Sequence, residues 1–93
     1  MSKDLGSLRA EIADIDAGIA ELIDRRLKAA EQVALAKEEQ GLPIVNPKAE
    51  ERVYARYAEA AERYGIRPET TRALAELLIS EAVFREEEII RRL

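Results

Sequence analysis

The sequence predicts an all-α fold of three helices, one long, one short and one of medium length. Its 93 residues are 47% apolar and 37% charged, with only 4 Gly and 3 Pro, a composition typical of helical proteins. Apolar residues recur at spacings of three and four over long stretches, as on one face of an α-helix. The Pro residues and two of the Gly residues lie at the junctions between these stretches. The length corresponds to a single domain, which we expect to cover residues 1–93.

The long helix is expected to begin near Asp4 or Ser7, either of which can cap its N-terminus, and to end at about Gln40. Gly41 suits the left-handed residue that follows a helix, and Pro43 prevents continuation. Positions spaced alternately three and four residues apart form a stripe on this helix, which we name the seam. The seam consists of Leu5, Leu8, Ile12, Ile15, Ile19, Leu22, Arg26, Ala29, Val33 and Ala36.

Two further helices follow. Asn46 before Pro47 is typical of a helix start, because the Asn side chain can cap the helix and Pro is favoured in its first turn. This short second helix ends before Gly65, and Pro68 begins a third helix that continues to the C-terminus. The apolar face of the second helix contains Val53, Tyr54, Tyr57, Ala60, Ala61 and Tyr64. The apolar face of the third contains Ala75, Leu78, Ile79, Ala82, Ile89, Ile90 and Leu93, with Glu86 among them.

The first helix is too long for a compact monomer of this size. About 35 helical residues extend ~50 Å at ~1.5 Å per residue. A compact 93-residue chain has a radius of gyration of about 12 Å, hence a diameter of only ~32 Å. Part of the seam would therefore lie beyond the rest of the chain. A second copy of the chain could cover it, and symmetric pairs are the commonest oligomers, so we expect a homodimer.

The composition excludes several classes of function. The absence of Cys excludes disulfides and thiolate chemistry, and the absence of His removes the commonest general base and metal ligand. The formal net charge is −4 and basic residues alternate with acidic ones, so we expect no nucleic-acid binding. The polar, acidic N-terminus is unlike a signal peptide, and no apolar run approaches the ~18 residues of a membrane span. We therefore expect a cytoplasmic protein that binds no membrane.

Arg26 is a permanent charge at a seam position where the pattern favours an apolar residue. Burying a guanidinium without a partner costs roughly several kcal/mol, so a carboxylate of the protein or an anionic ligand must neutralise it. Lys37 lies about 20° from Arg26 around the helix and ~16 Å from it along the helix axis. Both side chains can therefore lean towards a small anion between them. Arg9 is ~25 Å from Arg26 and could serve only the pocket of a partner chain. Arg9 and Lys37 are also compatible with ordinary solvated surface charges.

Two acidic residues are further candidates. Glu86 has apolar residues one turn away on both sides, where a carboxyl group can keep its proton and donate a hydrogen bond. It could instead form a buried ion pair with Arg26. Glu50 lies one turn before the inward-facing Val53, although the helix dipole alone also favours an acid in a first turn.

Three segments together resemble a known family, the all-helical AroQ class of chorismate mutases. The likeness covers nearly the whole chain and is found in LRAEIADIDAGIAELIDRRLKAAEQVALAK, GLPIVNP and LLISEAVFREE. Its specific part is the spacing of Arg9, Arg26, Lys37 and Glu50. The resemblance implies an isomerase of aromatic amino acid biosynthesis, which rearranges chorismate to prephenate without a cofactor, a metal or a covalent intermediate. It also implies an intertwined homodimeric bundle in which each pocket receives one Arg from the other subunit.

The same resemblance implies roles for individual residues. Arg26 and the partner's Arg9 would bind the two carboxylates of the dianionic substrate. Lys37 would contact the ether oxygen and a carboxylate, and Glu86 would be the second donor to that oxygen. Glu50 would hold the ring hydroxyl. The apolar wall of the pocket would consist of Val33, Ile79 and Val83.

Three departures from the family pattern bear on the substrate. Glu86 stands where many members have Gln. The loop reads NPKAE rather than DPxRE, so Asn46 replaces an Asp and Ala49 replaces an Arg. Ala82 stands where a Ser often helps to hold a carboxylate, and we keep both Asn46 and Ala82 as substrate-binding candidates. Two alternatives therefore stay open: the same fold acting on 4-amino-4-deoxychorismate or isochorismate, and a non-catalytic helical dimerisation or regulatory module.

Overall fold

The computed structural model describes residues 4–93, which form three α-helices and contain no strand. The helices are α1 (Leu5–Gln40), α2 (Pro47–Tyr64) and α3 (Pro68–Arg91). The predicted all-α class and the order of a long, a short and a medium helix are confirmed. Of the domain predicted over residues 1–93, residues 1–3 lie outside the described range. Within residues 4–93 no helix is both long and apolar enough to cross a membrane.

Both ends of α1 are held by local hydrogen bonds. The Asp4 carboxylate accepts the backbone N–H of Ser7 at 3.0 Å and its hydroxyl at 2.8 Å, so Asp4 is the N-cap. These bonds hold the pKa of the Asp4 carboxyl below its ordinary value, because they favour the ionised form. At the other end Gly41 has φ 67°, a left-handed conformation that costs an L side chain about 1–2 kcal/mol. The chain therefore turns out of α1 at the residue predicted from the sequence.

The shorter helices begin and end in the same way. The side-chain oxygen of Asn46 accepts the N–H of Ala49 at 3.2 Å, which makes Asn46 the N-cap of α2. Gly65 has φ 66° and ends α2. The third helix has no side-chain cap, but Pro68 occupies its first turn, where a missing N–H removes no helical hydrogen bond.

The third helix is the centre of the fold. It packs against α1 on one side and α2 on the other, whereas α1 and α2 do not pack against each other. The buried apolar residues at these contacts are Ala34, Ala61 and Ala75, whose small side chains let the helices approach closely. An ion pair at 2.7 Å between Arg85 of α3 and Glu31 of α1 also joins two helices, and it raises the pKa of Arg85. The two helices that carry Arg26 and Glu86 are therefore held side by side.

The first half of α1 extends beyond the rest of the chain, as the sequence predicts. The molecule measures 59 × 27 × 14 Å and has a radius of gyration of 16.8 Å, against about 12 Å for a compact chain of this length. Six seam residues in this part of α1 are between 38% and 61% exposed. They are Leu5, Leu8, Ile12, Ile15, Ile19 and Leu22. A contiguous apolar stripe of this kind marks an interaction surface.

Candidate active site

One cavity of ≈ 310 Å³ lies where all three helices and the loop between α1 and α2 come together. It is lined by the second half of α1, the first turns of α2 and the second half of α3. Nine of the residues predicted from the sequence to form a site contribute to this lining. They are Arg26, Val33, Lys37, Asn46, Glu50, Ile79, Ala82, Val83 and Glu86.

Arg26 reaches this cavity from the third quarter of α1 and is half-buried. Its Nη1 donates to the backbone carbonyl oxygen of Leu78 in α3 at 3.3 Å, which uses one of the five guanidinium N–H groups. No carboxylate within residues 4–93 forms an ion pair with Arg26, so the considered Arg26–Glu86 pair is not formed. The guanidinium therefore lacks a counter-charge that an anionic ligand could supply.

Lys37 lies in the last turn of α1, and its ammonium is held by two acceptors. Its Nζ donates to the carbonyl oxygen of Ile44 in the loop and to Oε1 of Glu86 at 3.4 Å. The loop is joined to the same residue through its backbone, because the N–H of Leu42 donates to the Lys37 carbonyl oxygen at 2.8 Å. An ammonium has three N–H groups, so one remains for a ligand in the cavity.

Glu86 is the most buried charged residue of the described chain, at 6% exposed. Its Oε1 pairs with Lys37, which explains how a carboxyl group is accommodated between apolar positions of α3. Sequence periodicity predicts that Glu86 lies on the inward face, and it leaves open either a hydrogen-bond donor or an ion pair with Arg26. In the structure Glu86 pairs with Lys37 instead, and Arg26 contacts the Leu78 carbonyl oxygen.

Glu50 and Asn46 line the side of the cavity formed by the start of α2. The Asn46 side chain is engaged as the N-cap through Ala49. Glu50 is half-buried in the first turn of α2, and no cation within residues 4–93 forms an ion pair with it. The cavity therefore has two cations on the α1 side and a carboxylate without a counter-charge on the α2 side.

The rest of the lining is apolar and small. Val33, Ile79 and Val83 form a wall, and Ala82 lies beside them on α3. Five other lining residues are not among those predicted from the sequence to form the site, namely Ala29, Ala30, Ile44, Ala49 and Val53. Of these, Ala29 and Val53 belong to apolar faces recognised in the sequence, whereas Ile44 acts through its backbone carbonyl, which leaves no signal in the side-chain pattern.

Arg9 does not line this cavity. It is exposed on the first half of α1, and seventeen residues of straight helix separate it from Arg26 by ~25 Å. No conformation of the Arg9 side chain spans that distance. Arg9 can therefore reach a cavity of this kind only on another copy of the chain.

The lining favours binding and electrostatic chemistry over covalent catalysis. It contains no Ser, Thr, Cys, Tyr or His, so the usual hydroxyl, thiol and imidazole nucleophiles and bases are missing from it. Among the described residues no cluster of three His, Cys, Asp or Glu side chains could hold a metal ion. What the cavity offers is two cations, a buried carboxyl group, a half-buried carboxylate and an apolar wall. Such a site suits a small anion with an apolar ring.

Comparison with known proteins agrees with this chemistry. A family model described as chorismate mutase type II matches residues 8–88, which include the whole of α2, most of α1 and α3, and every residue that lines the cavity. Neither the curated proteins nor the solved structures give a match. The family match supports an isomerase with chorismate mutase activity. Because it extends over most of the sequence, the chain belongs to the chorismate mutase type II family.

Proposed function

We propose that this chain converts chorismate to prephenate as a cytoplasmic homodimer, with the ≈ 310 Å³ cavity as its active site. The observation that carries the proposal is the convergence of Arg26, Lys37 and Glu86 on one cavity with an apolar wall. In this rearrangement the ether C–O bond breaks while a new C–C bond forms within the same molecule. Atoms and electrons balance without a co-reactant, so the protein needs neither a nucleophile nor a cofactor.

Binding is assigned to the cations. Arg26 lacks a counter-charge in the described chain, so one substrate carboxylate would occupy its remaining N–H groups in a bidentate pair. The second carboxylate would bind Arg9 of the partner subunit, which is exposed and out of reach of the cavity in its own chain. Two fixed carboxylates hold a flexible dianion near its reactive conformation, and such positioning can account for several kcal/mol of the barrier, roughly.

Transition-state stabilisation is assigned to Lys37 and Glu86. Negative charge develops on the ether oxygen as its bond to carbon breaks. The free N–H of the Lys37 ammonium would donate to that oxygen, and the acceptors Ile44 and Glu86 hold the ammonium in place beforehand. A donor fixed in advance costs no reorganisation during the reaction, and one such donor is typically worth about 3–4 kcal/mol. Glu86 would be the second donor to the same oxygen through its other carboxyl oxygen, while its Oε1 still accepts from Lys37.

The ring end of the substrate is assigned to Glu50. Its carboxylate would accept the ring hydroxyl, and Val33, Ile79 and Val83 would contact the apolar faces of the ring. Glu50 has no ion-pair partner within residues 4–93, which also favours a second candidate substrate, 4-amino-4-deoxychorismate, whose ammonium group would neutralise that carboxylate.

The direct test follows the loss of chorismate's ultraviolet absorbance with purified protein at pH 5 and pH 8, with identification of the product. Prephenate formation that is proportional to protein concentration supports the mutase. If chorismate is stable at both values, the amino analogue and isochorismate are assayed next under the same conditions. Turnover of neither would favour the non-catalytic dimerisation or regulatory module.

Glu86→Gln is expected to keep a kcat at least equal to that of the unsubstituted chain. The Gln amide can donate to the ether oxygen while its side-chain oxygen still accepts from Lys37, and it places no further negative charge beside that oxygen. Glu86→Ala can do neither, so its kcat should fall by about tenfold or more. The measurement is kcat of the three proteins at one pH. Equal losses in both variants would contradict the role of Glu86 as a donor.

A further inference from the structure

The loop between α1 and α2 makes two contacts with Lys37. Residues 41–46, which we name the connecting loop, leave α1 at Gly41 and lead to the N-cap of α2. The Leu42 N–H donates to the backbone carbonyl oxygen of Lys37 at 2.8 Å, and the Lys37 ammonium donates to the carbonyl oxygen of Ile44. The connecting loop therefore holds Lys37 both at its backbone and at the end of its side chain.

The Ile44 carbonyl oxygen is the closer of the two acceptors of the Lys37 ammonium. The other acceptor, Oε1 of Glu86, is 3.4 Å from Nζ, which is long beside the ~2.7–2.9 Å of a strong hydrogen bond between an ammonium and a carboxylate. A Lys side chain is a flexible four-carbon stem, so one long contact would leave its end free to move. The direction of the Lys37 N–H groups is therefore set mainly by the connecting loop.

The path of the connecting loop depends on Gly41. Its φ of 67° is a left-handed conformation that disfavours residues with a Cβ. In this conformation the Leu42 N–H turns back to the Lys37 carbonyl oxygen, as in the Schellman motif that ends many helices. Pro43 follows, which fixes its own φ and restricts Leu42 to extended conformations. Little conformational freedom then remains before the carbonyl group that accepts from the ammonium.

The end of α2 has the same turn but no contact with the cavity. Gly65 has φ 66°, and the N–H of Ile66 donates to the carbonyl oxygen of Ala61 at 3.0 Å, as Leu42 does to Lys37. Gly65 is exposed and does not line the cavity. A Cβ at either glycine would lie in open space, with no heavy atom beyond its chain neighbours within 4 Å. Substitution of the two glycines therefore separates an effect on Lys37 from the strain of a helix end.

We propose that the connecting loop positions Lys37 for the reaction, with Gly41 as a positioning residue and the Ile44 carbonyl oxygen as the group that directs the ammonium. The inference rests on the proposed function, because it concerns the donor that this function assigns to the ether oxygen. The loop holds the ammonium in one direction before the substrate enters and leaves one N–H free for it. Displacement of such a donor by about 1 Å can cost roughly 10²-fold in rate.

Gly41→Ala is expected to lower kcat by about tenfold or more at a nearly unchanged KM. The added Cβ strains the left-handed turn, so the loop shifts to conformations in which Ile44 no longer directs the ammonium. KM should change little, because the substrate carboxylates are assigned to Arg26 and to Arg9 of the partner subunit. Gly65→Ala introduces the same strain, so it should lower the Tm by a similar amount and leave kcat unchanged.

Two further variants complete the series. Gly41→Asn should keep most of the original kcat, because Asn adopts the left-handed conformation more readily than Ala. Pro43→Gly loosens the loop without straining the turn, so it should lower kcat as Gly41→Ala does, even if Gly41→Ala does not fold. The proposal is overturned if Gly41→Ala and Pro43→Gly both keep the kcat of the unsubstituted chain. Equal losses of kcat in Gly41→Ala and Gly65→Ala, or a rise in KM alone, would also overturn it.

The Lys37 ammonium can also be observed without substrate, which separates this inference from the proposed function. The chain has only four Lys residues, and Lys37→Arg identifies the signal of Lys37 in ¹H–¹⁵N spectra of the ammonium groups. We expect slow exchange of its protons with water in the unsubstituted chain and in Gly65→Ala, and exchange at least about fivefold faster in Gly41→Ala.

The exchange rates and the activities are then compared. If no protein converts chorismate but the exchange rates differ as expected, the proposed function is contradicted and the contact between the connecting loop and Lys37 is supported. Equal exchange rates in Gly41→Ala, Gly65→Ala and the unsubstituted chain would overturn the inference, whether or not chorismate is converted.

Discussion

Arg26→Ala is expected to lower kcat/KM by about 10²–10³-fold while the protein stays folded. The guanidinium is the cation of the cavity that has no carboxylate partner within residues 4–93, so its removal deprives a substrate carboxylate of its counter-charge. The loss for the fold is one hydrogen bond to the Leu78 carbonyl, worth about 1 kcal/mol or less. Removing a half-buried charge offsets part of that loss. The measurements are kcat/KM and the free energy of unfolding.

Arg56→Ala is the matched control for this prediction. Arg56 is exposed on α2 and does not line the cavity, so the same change of charge should leave both kcat/KM and stability nearly unchanged. If Arg26→Ala keeps the activity of the unsubstituted protein, Arg26 does not bind the substrate. If it unfolds the protein, the guanidinium has a structural role that the single Leu78 contact does not explain.

Much of this architecture can be predicted from the sequence because its determinants are local. Asp4, Asn46, Gly41 and Gly65 act through hydrogen bonds or backbone angles within one turn, so the helix boundaries follow from residue type. The inward position of Glu86 follows from the 3.6-residue period of α3 in the same way. Neither inference depends on how the helices dock.

The partner of Glu86 could not be predicted in this way. Arg26 and Lys37 lie within about 20° of each other around α1, so periodicity is compatible with an ion pair between Glu86 and either of them. Only the docking of the two helices along their axes decides between them, and that docking depends on contacts such as Ala34 and Ala75, which many registers could satisfy. The contact between Lys37 and the Ile44 carbonyl oxygen could not be predicted from the side-chain pattern, because every residue has a backbone carbonyl group.

Mixing Arg9→Ala with Arg26→Ala is expected to restore activity that neither variant has alone. In the proposed dimer each cavity uses Arg26 of one chain and Arg9 of the partner subunit. A mixed dimer therefore contains one cavity with both Arg side chains and one cavity with neither. Random assortment makes about half of the dimers mixed, so activity should reach about one quarter of that of the unsubstituted protein. The variants are unfolded together, refolded and assayed for kcat at saturating chorismate.

A second mixture distinguishes shared cavities from a general effect of mixing. Arg26 and Lys37 line the same cavity from the same chain, so Arg26→Ala mixed with Lys37→Ala leaves one defect in every cavity and should stay inactive. Recovery in that mixture, or none in the first when mixed dimers have been shown to form, would mean that Arg9 does not complete the partner's cavity. Recovery in the first mixture alone requires that Arg9 crosses from one chain to the other. The ~25 Å between Arg9 and Arg26 on one helix agrees with that result, because Arg9 cannot reach the cavity of its own chain.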